Sequence, residues 1–314
     1  LSVRFARAST VLYDMAVVVG AYHGHTGMLI ELSPYKFRGP GGRGDPEPWV
    51  HVLPIPDSYR REGTDFSSEA ESALEGAGEV AGLIIETMLS CAGQVPLPEE
   101  YLSTTSEAVR EKGGLLLADE VQVGFGRVGT HMWAFEESGV IPDIVVMGKP
   151  MGNGHPMGAV FTTQDIASSF GSMEFFSTFG GNPVSCAIGS AVLDVIESEN
   201  LMEAACSLGD RFLKGLHSLM ESHEIVGDVR GRGLFLGFEM VRDRATKEPA
   251  AEAAVALVDS MRQNGILLST DGPLHNVIKI KPPMVLSEDD VDDTLAKLDN
   301  ALTTCGNQTQ PRLR

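Results

Sequence analysis

The chain has 314 residues, 43% of them hydrophobic, enough to enclose a substantial core in one large domain or two ordinary ones. Its 24 Lys and Arg stand against 43 Asp and Glu, and the formal charge of -19 argues against nucleic acid or an anionic membrane as partner and is read as a solubility feature. Cys91, Cys186, Cys206 and Cys305 are scattered without CxxC spacing, which suits neither a disulfide framework nor a zinc site and points to a reducing compartment.

The first residue is Leu, and LSVRFARAST at 1–10 already reads as the middle of an amphipathic helix, so an N-terminal portion is expected to be missing. No signal peptide is expected, and no apolar run approaches the roughly 20 residues of a membrane span. AVVVG at 16–20 reads as a buried strand, followed by AYHGHTG at 21–27. His23 and His25 have a spacing that invites a metal, but no Cys, Asp or Glu nearby in sequence completes a shell, so no metal is expected. Residues 33–64 are rich in Gly and Pro with little periodicity, and predict a long surface loop. No strand feeds these glycines and no GK[ST] follows, which argues against a phosphate cradle.

VAGLIIE at 80–86 has a buried-strand pattern that ends in Glu86, and a helix is expected over about 102–112. The apolar run in GGLLLADE then ends at Asp119 and Glu120, so strand, helix and strand form a crossover unit. Its acids lie at the carboxyl edge of a sheet, where open α/β folds bind ligands. Gly124, Gly126 and Gly129 spell GxGxxG, but DEVQV separates them from the strand, and a dinucleotide fingerprint needs its glycines in the turn immediately after it.

DIVVMGKPMGNGHPMG at 143–158 reads as a strand, Ile144 to Met147, that delivers Lys149 into a loop with Gly152, Gly154 and Gly158. Desolvation at such a strand end disfavours the ammonium form and would make the amine a nucleophile, although a surface lysine in a turn has the same appearance. An amine and an acid at two strand ends are what a pyridine aldehyde cofactor needs: one forms a Schiff base, the other keeps the ring nitrogen protonated.

Downstream, 158–163 reads as a strand and 164–170 as a short helix. FSTFGGNPVS at 176–185 supplies a proline at a helix start and, in Thr178, a hydroxyl suited to a phosphate. Helices at 184–199 and 202–222 lead to strands at 229–241, 265–269 and 276–281, which alternate with helices at 251–263 and 287–302. Ser287 to Asp290 resembles a capping box with Asp in the acidic position, and the tail from Cys305 is expected to fray.

The segments AYHGHTG, ADEVQVGFGR at 118–127, GKPMGNGHPMGAV at 148–160 and STFGGNPVSCA at 177–187 resemble, in their usual order, the signature stretches of class III aminotransferases, which use pyridoxal phosphate (PLP). The resemblance covers nearly the whole chain. It implies an α/β fold of PLP fold type I, with a mostly parallel sheet in a large domain, 1–200, and a smaller α+β domain, 201–314. It implies Lys149 as the Schiff-base lysine and Asp119 as the partner of the ring nitrogen. Tyr22 would pack on the ring with His23 as its competitor, Gln122 would lie near the ring hydroxyl, and Glu86 would hold neighbouring polar groups. Glu86 could equally be a helix cap or a satisfied core carboxylate. Thr178 would reach the phosphate of the neighbouring subunit's cofactor, which would make a homodimer obligatory.

In many amine-transferring members an arginine before the paired prolines grips the substrate carboxylate; here NVIKIKPPM has Lys279, with Lys281 close by. Lysine lacks the planar two-point grip but attracts a phosphate, and either residue could equally be a solvated strand face. With LSPYKF at 32–37 and DGPLHN at 271–276, the chain looks most like the phospho-lyase branch, which cleaves phosphoethanolamine or 5-phosphohydroxylysine. An ordinary aminotransferase and a non-catalytic fragment are the alternatives. The family's main phosphate-binding glycine and serine segment precedes the helix that begins this chain and is not in these residues. The cytoplasm is the expected compartment, the mitochondrion second.

Overall fold

A computed structural model describes residues 1–309. Six strands form the first sheet: β1 (Met15–Val18), β2 (Val50–Leu53), β3 (Gly82–Glu86), β6 (Leu115–Asp119), β7 (Ile144–Met147) and β8 (Ala159–Thr162). β4 (Met88–Leu89) and β5 (Val95–Pro96) make a small hairpin between them. The order is β2-β1-β3-β6-β7-β8, parallel except for the antiparallel edge strand β8. Strands buried on both faces read as continuous apolar runs, which is why GLIIE and LLLAD were legible. Helices 66–75 and 101–111 cover one face through Ala70, Leu74, Tyr101, Leu102 and Val109, and the first helix, Ser2–Thr10, covers the other with Val3 and Ala6.

A second, antiparallel sheet contains β9 (Val226–Arg232), β10 (Phe235–Asp243), β11 (Glu248–Pro249), β12 (Ser269–Asp271) and β13 (Val277–Ile280). Its core draws on helices 201–222, 251–263 and 288–309, with Phe212, Leu257, Met261, Leu298 and Leu302 packed on Leu236, Phe238 and Ile278.

Several sequence expectations need correction. The Gly/Pro-rich stretch 33–64 is not all loop: it holds a one-turn helix, Pro34–Phe37, and β2, whose four residues pair in parallel with β1. A four-residue strand between prolines is too short to show a period. The expected strand 229–241 is two strands, reversed at Gly233, where φ is +51° and an added Cβ would meet the Val128 backbone at 2.4 Å. Of 265–269 only Ser269 is extended. The last helix runs on to Thr309, past the expected fraying point at Cys305, and residues 310–314 lie outside the described residues. The capping box forms with Asp: Ser287 N–H donates to Asp290 Oδ2 at 3.0 Å, and Asp290 N–H to Ser287 Oγ at 3.2 Å.

The GxGxxG glycines serve helix packing. A Cβ on Gly129 would sit 2.6 Å from the backbone of Cys206, and one on Gly126 would meet Met202, so the loop lies directly against helix 201–222.

Candidate active site

Register brings the expected residues to one edge. Glu86 pairs with Asp119 across β3 and β6, and Asp119 with Val146 across β6 and β7, so the chain leaves all three strands side by side. Asp119 is almost fully buried; its Oδ1 accepts from Val121 N–H at 3.1 Å and its Oδ2 from His23 Nδ1 at 2.7 Å. The His23 side chain has no exposed surface, and its Nε2 is buried with no hydrogen-bond partner among the described residues.

Tyr22 is half-buried, edge-on to Tyr35 at 6.4 Å between centroids. Of the two candidates for packing on a ring, His23 is committed to Asp119, and Lys36 Nζ lies 5.5 Å from the centroid of the Tyr22 ring. His25 Nδ1 lies 3.5 Å from the Tyr22 hydroxyl.

Lys149 follows Val146 by three residues, a step that carries it beyond the last strand pairing. The residue is exposed, and its side chain makes no hydrogen bond or ion pair among the described residues. Its backbone has φ +32°, outside the regions that non-glycine residues favour, and such strain gathers at functional positions.

A chain of hydrogen bonds crosses from the second sheet to the first. Lys281 Nζ donates to Gln122 Oε1 at 2.7 Å, Gln122 Nε2 donates to Ser90 Oγ, and Ser90 Oγ donates to Glu86 Oε1 at 2.6 Å. Burial, reinforced by Asp119, pushes the Glu86 carboxyl up to about 7, against the opposing pull of His23, Ser90 and Lys281. Burial, with Lys279 and Lys149 nearby, pushes the Lys281 amine down to about 7. Glu86 therefore holds Ser90 and, through it, Gln122. The Gln122 amide has a second N–H beyond the one it gives to Ser90.

Lys279 lies elsewhere in this charge pattern. Its Nζ donates to the buried Asp271 Oδ2 at 3.0 Å. Thr178 is exposed, with no hydrogen-bond partner among the described residues, amid a surface on which Phe176 and Phe179 are 84% and 80% exposed. The structure thus groups Glu86, Asp119, His23, Gln122 and Lys281 by direct contact, with Lys149 within electrostatic reach of Lys281, and leaves Thr178 outside that network.

Three contributors were not singled out in the sequence. Ser90 is reached only because the chain turns into the β4–β5 hairpin; Asp271 is reached through the register of β12 on β13; and Arg127 reaches across from the glycine loop. The Arg127 guanidinium donates to the carbonyls of Pro282 and Leu234, and burial lowers it to about 10. It thereby ties the residue after Lys281 to the loop after Asp119.

The donor set fits the ring and aldehyde of a phosphorylated pyridine aldehyde. There is an unpaired amine, a buried carboxylate with an oriented partner, an amide with a free N–H, and an aromatic face, while the unsatisfied His23 Nε2 marks an incomplete polar environment. Among the described residues no group of three or more His, Cys, Asp and Glu is arranged to hold a metal.

Comparison with known proteins agrees. A Drosophila melanogaster protein named alanine–glyoxylate aminotransferase 2-like is 46% identical over 96% of this chain and 65% of its own length. Ethanolamine-phosphate phospho-lyase homolog 1 of Caenorhabditis elegans is 41% identical over 96% of this chain and 70% of its own. A solved phospholyase from Arthrobacter, in complex with phosphoethanolamine, matches with a TM-score of 0.90 at 36% identity, over 96% of this chain and 74% of that one. The chain thus spans 65% of the length of the first of these relatives. The class-III aminotransferase family matches residues 3–302, and with that match and the mostly parallel sheet the chain belongs to this family of pyridoxal phosphate enzymes.

Proposed function

We propose that the chain acts as a PLP-dependent phospho-lyase, releasing phosphate and ammonia from a phosphorylated amine such as phosphoethanolamine or 5-phosphohydroxylysine and leaving an aldehyde. The observation that carries this reading is Lys281: an amine hydrogen-bonded to Gln122 with no carboxylate bound to it, in a stretch that offers lysines and no planar guanidinium for a substrate carboxylate. The phospho-lyase relative and the phosphoethanolamine-bound structure support it.

In this reading Lys149 Nζ would be the group that holds the cofactor and, when free, would accept a proton from the substrate carbon. Asp119, oriented by His23, would keep the ring nitrogen protonated, and Tyr22 and the remaining Gln122 N–H would help to hold the ring. PLP, when bound, supplies the electron sink that makes bonds at the substrate carbon labile. Glu86 fixes Gln122 through Ser90, and Lys281 attracts the substrate phosphate.

Thr178 completes the cofactor phosphate site of a second copy in a homodimer, a role supported by the exposed Phe176, Phe179 and Val184 around it. The large and small domains divide at about residue 200, where helices 183–198 and 201–222 meet. No described helix is long and apolar enough to cross a membrane. The cytoplasm remains the assigned compartment, and the mitochondrion stands second because two relatives are named as mitochondrial.

The relative at 46% identity favours a second reading, transamination to a keto acid. Phosphate release from phosphoethanolamine in the absence of any keto acid decides for elimination; strict dependence on pyruvate or 2-oxoglutarate decides for transamination. A protein that shows neither, and takes up no cofactor, retains the fold without the activity.

A further inference from the structure

The turn at 90–94 joins the two strands of the β4–β5 hairpin, yet much of what holds it comes from the second sheet. The Ser90 carbonyl closes the turn, accepting from the N–H groups of Gly93 and Gln94 at 3.0 and 3.1 Å and from Gln94 Nε2 at 2.8 Å. Two other carbonyls of the turn bond outward: that of Cys91 accepts from Gly272 N–H at 3.1 Å, and that of Gly93 from Arg230 Nε at 2.9 Å. Gly93 has φ +116°, and a Cβ there would stand 3.1 Å from Arg230 Nη2, so the guanidinium lies directly against the turn.

Arg230 is itself fixed. It shares a face of β9 with Asp228, and Glu239 of β10 stands opposite Asp228 in the register. Arg230 Nη1 donates to Asp228 Oδ2 at 2.7 Å and Nη2 to Glu239 Oε2 at 3.0 Å, with only 9% of the arginine side chain and 1% of the glutamate exposed. The other Glu239 oxygen accepts from Arg60 Nε at 2.6 Å and from Asn276 Nδ2 at 3.1 Å. A planar guanidinium with all three nitrogens engaged is held in one orientation.

The turn begins at Ser90, which has no exposed surface. Its hydroxyl donates to Glu86 Oε1 at 2.6 Å and accepts from Gln122 Nε2, and Glu86 lies opposite Asp119 across β3 and β6. Lys281 Nζ, just past β13, holds the other end of the Gln122 amide at 2.7 Å. The second sheet thus acts on both ends of this amide, on one directly and on the other through the turn.

The geometry points to Arg230 as a positioning residue for the active site: through the Gly93 carbonyl it seats the 90–94 turn, and with it the Ser90 hydroxyl that orients Gln122 and Glu86. This deepens the proposed function and rests on its placing of Gln122 beside the cofactor ring. It holds for elimination and transamination alike.

Arg230→Lys keeps the charge against Asp228 and Glu239, so the chain folds, but one ammonium cannot reproduce the fork on Gly93, Asp228 and Glu239. In a fluorescence titration its PLP affinity should fall roughly threefold to tenfold, the equivalent of about one hydrogen bond. A double-mutant cycle separates positioning from general loosening. In a Ser90→Ala background the same substitution should change PLP affinity no further. Arg60→Lys disturbs Glu239 at its other oxygen; it should lower the melting temperature and leave PLP affinity as in the wild type. Wild-type affinity in Arg230→Lys, an equal further loss in the Ser90→Ala background, or the same loss in Arg60→Lys overturns the assignment. Gln122→Ala tests the reading beneath it. If that variant binds PLP as the wild type does, Gln122 is not at the ring, and amide hydrogen exchange of the cofactor-free protein still decides on Arg230. Exchange at Gly93 and Gln94 faster in Arg230→Lys than in Arg60→Lys supports its hold on the turn, and equal exchange refutes it.

Discussion

His23 Nδ1 lies 2.7 Å from Asp119 Oδ2, although 96 residues separate the two in sequence. The ring has no exposed surface, so this bond forms where water does not compete for either partner. His23 is therefore an orienting partner for the Asp119 carboxylate.

Replacing His23 with Ala removes one charge-assisted hydrogen bond, about 1.5 to 3 kcal/mol, and leaves one Asp119 oxygen unpaired. PLP affinity should fall by roughly 10- to 100-fold in a fluorescence titration, with the melting temperature of the cofactor-free protein lowered as well. Equal affinity for PLP in wild type and variant would remove His23 from the site.

The two groups that end the hydrogen-bond chain should shape stability against pH in opposite directions. Glu86 is raised from 4.5 to about 7, so between those values the folded state keeps a proton that the unfolded state has lost, and stability falls as pH rises through that window. Lys281 is lowered from 10.5 to about 7, so above pH 7 the folded state has released a proton that the unfolded state keeps, and stability rises toward pH 10.5. Thermal melts of the cofactor-free protein across pH should show the acid-side slope flattened in Glu86→Gln and the alkaline-side slope flattened in Lys281→Met. Slopes unaltered in both variants would mean that neither group titrates as its burial implies.

Gly129→Ala tests the glycine loop as a packing surface. The position has φ +81° and the new methyl would sit 2.6 Å from the Cys206 backbone, so the protein should lose about 1 to 3 kcal/mol from overpacking, with added backbone strain. Gly76→Ala is the control: φ is -71°, the nearest neighbour is Ala73 O at 3.7 Å, and stability should hold or rise by about 0.4 to 1 kcal/mol in denaturant titrations. Similar behaviour of the two variants would contradict a packing role for Gly129.

In the proposed homodimer, Phe176 and Phe179, exposed at 84% and 80% beside Thr178, would meet the second copy. Phe176→Ser with Phe179→Ser should shift the protein from dimer to monomer in sedimentation velocity, while the circular dichroism of each subunit is retained. A dimer of undiminished strength would move the interface elsewhere.

The sequence exposed what depends on local order. Doubly buried strands such as GLIIE and LLLAD read directly, and their ends gave Glu86 and Asp119; the helix starts at Pro183 and Ser287 followed from capping chemistry. It concealed what depends on register. β2 is four residues between prolines, the hairpin at Gly233 turns inside what reads as one strand, and the pairing of Asp271 with Lys279 exists only because β12 lies antiparallel on β13. Ser90 was invisible for the same reason, since a serine four residues after a glutamate carries no pattern. The exposure of Lys149 could not be read either, because a strand end fixes direction and says little about what covers the residue beyond it.

The central claim is that Lys149 is the amine that carries the cofactor. Borohydride reduction of the protein mixed with PLP, followed by peptide mass spectrometry, measures this directly. The reduced cofactor should be found on the peptide that contains Lys149, and Lys149→Ala should lose both that label and the cofactor absorbance. Labelling concentrated on another lysine, or an absorbance that survives in Lys149→Ala, would contradict the account.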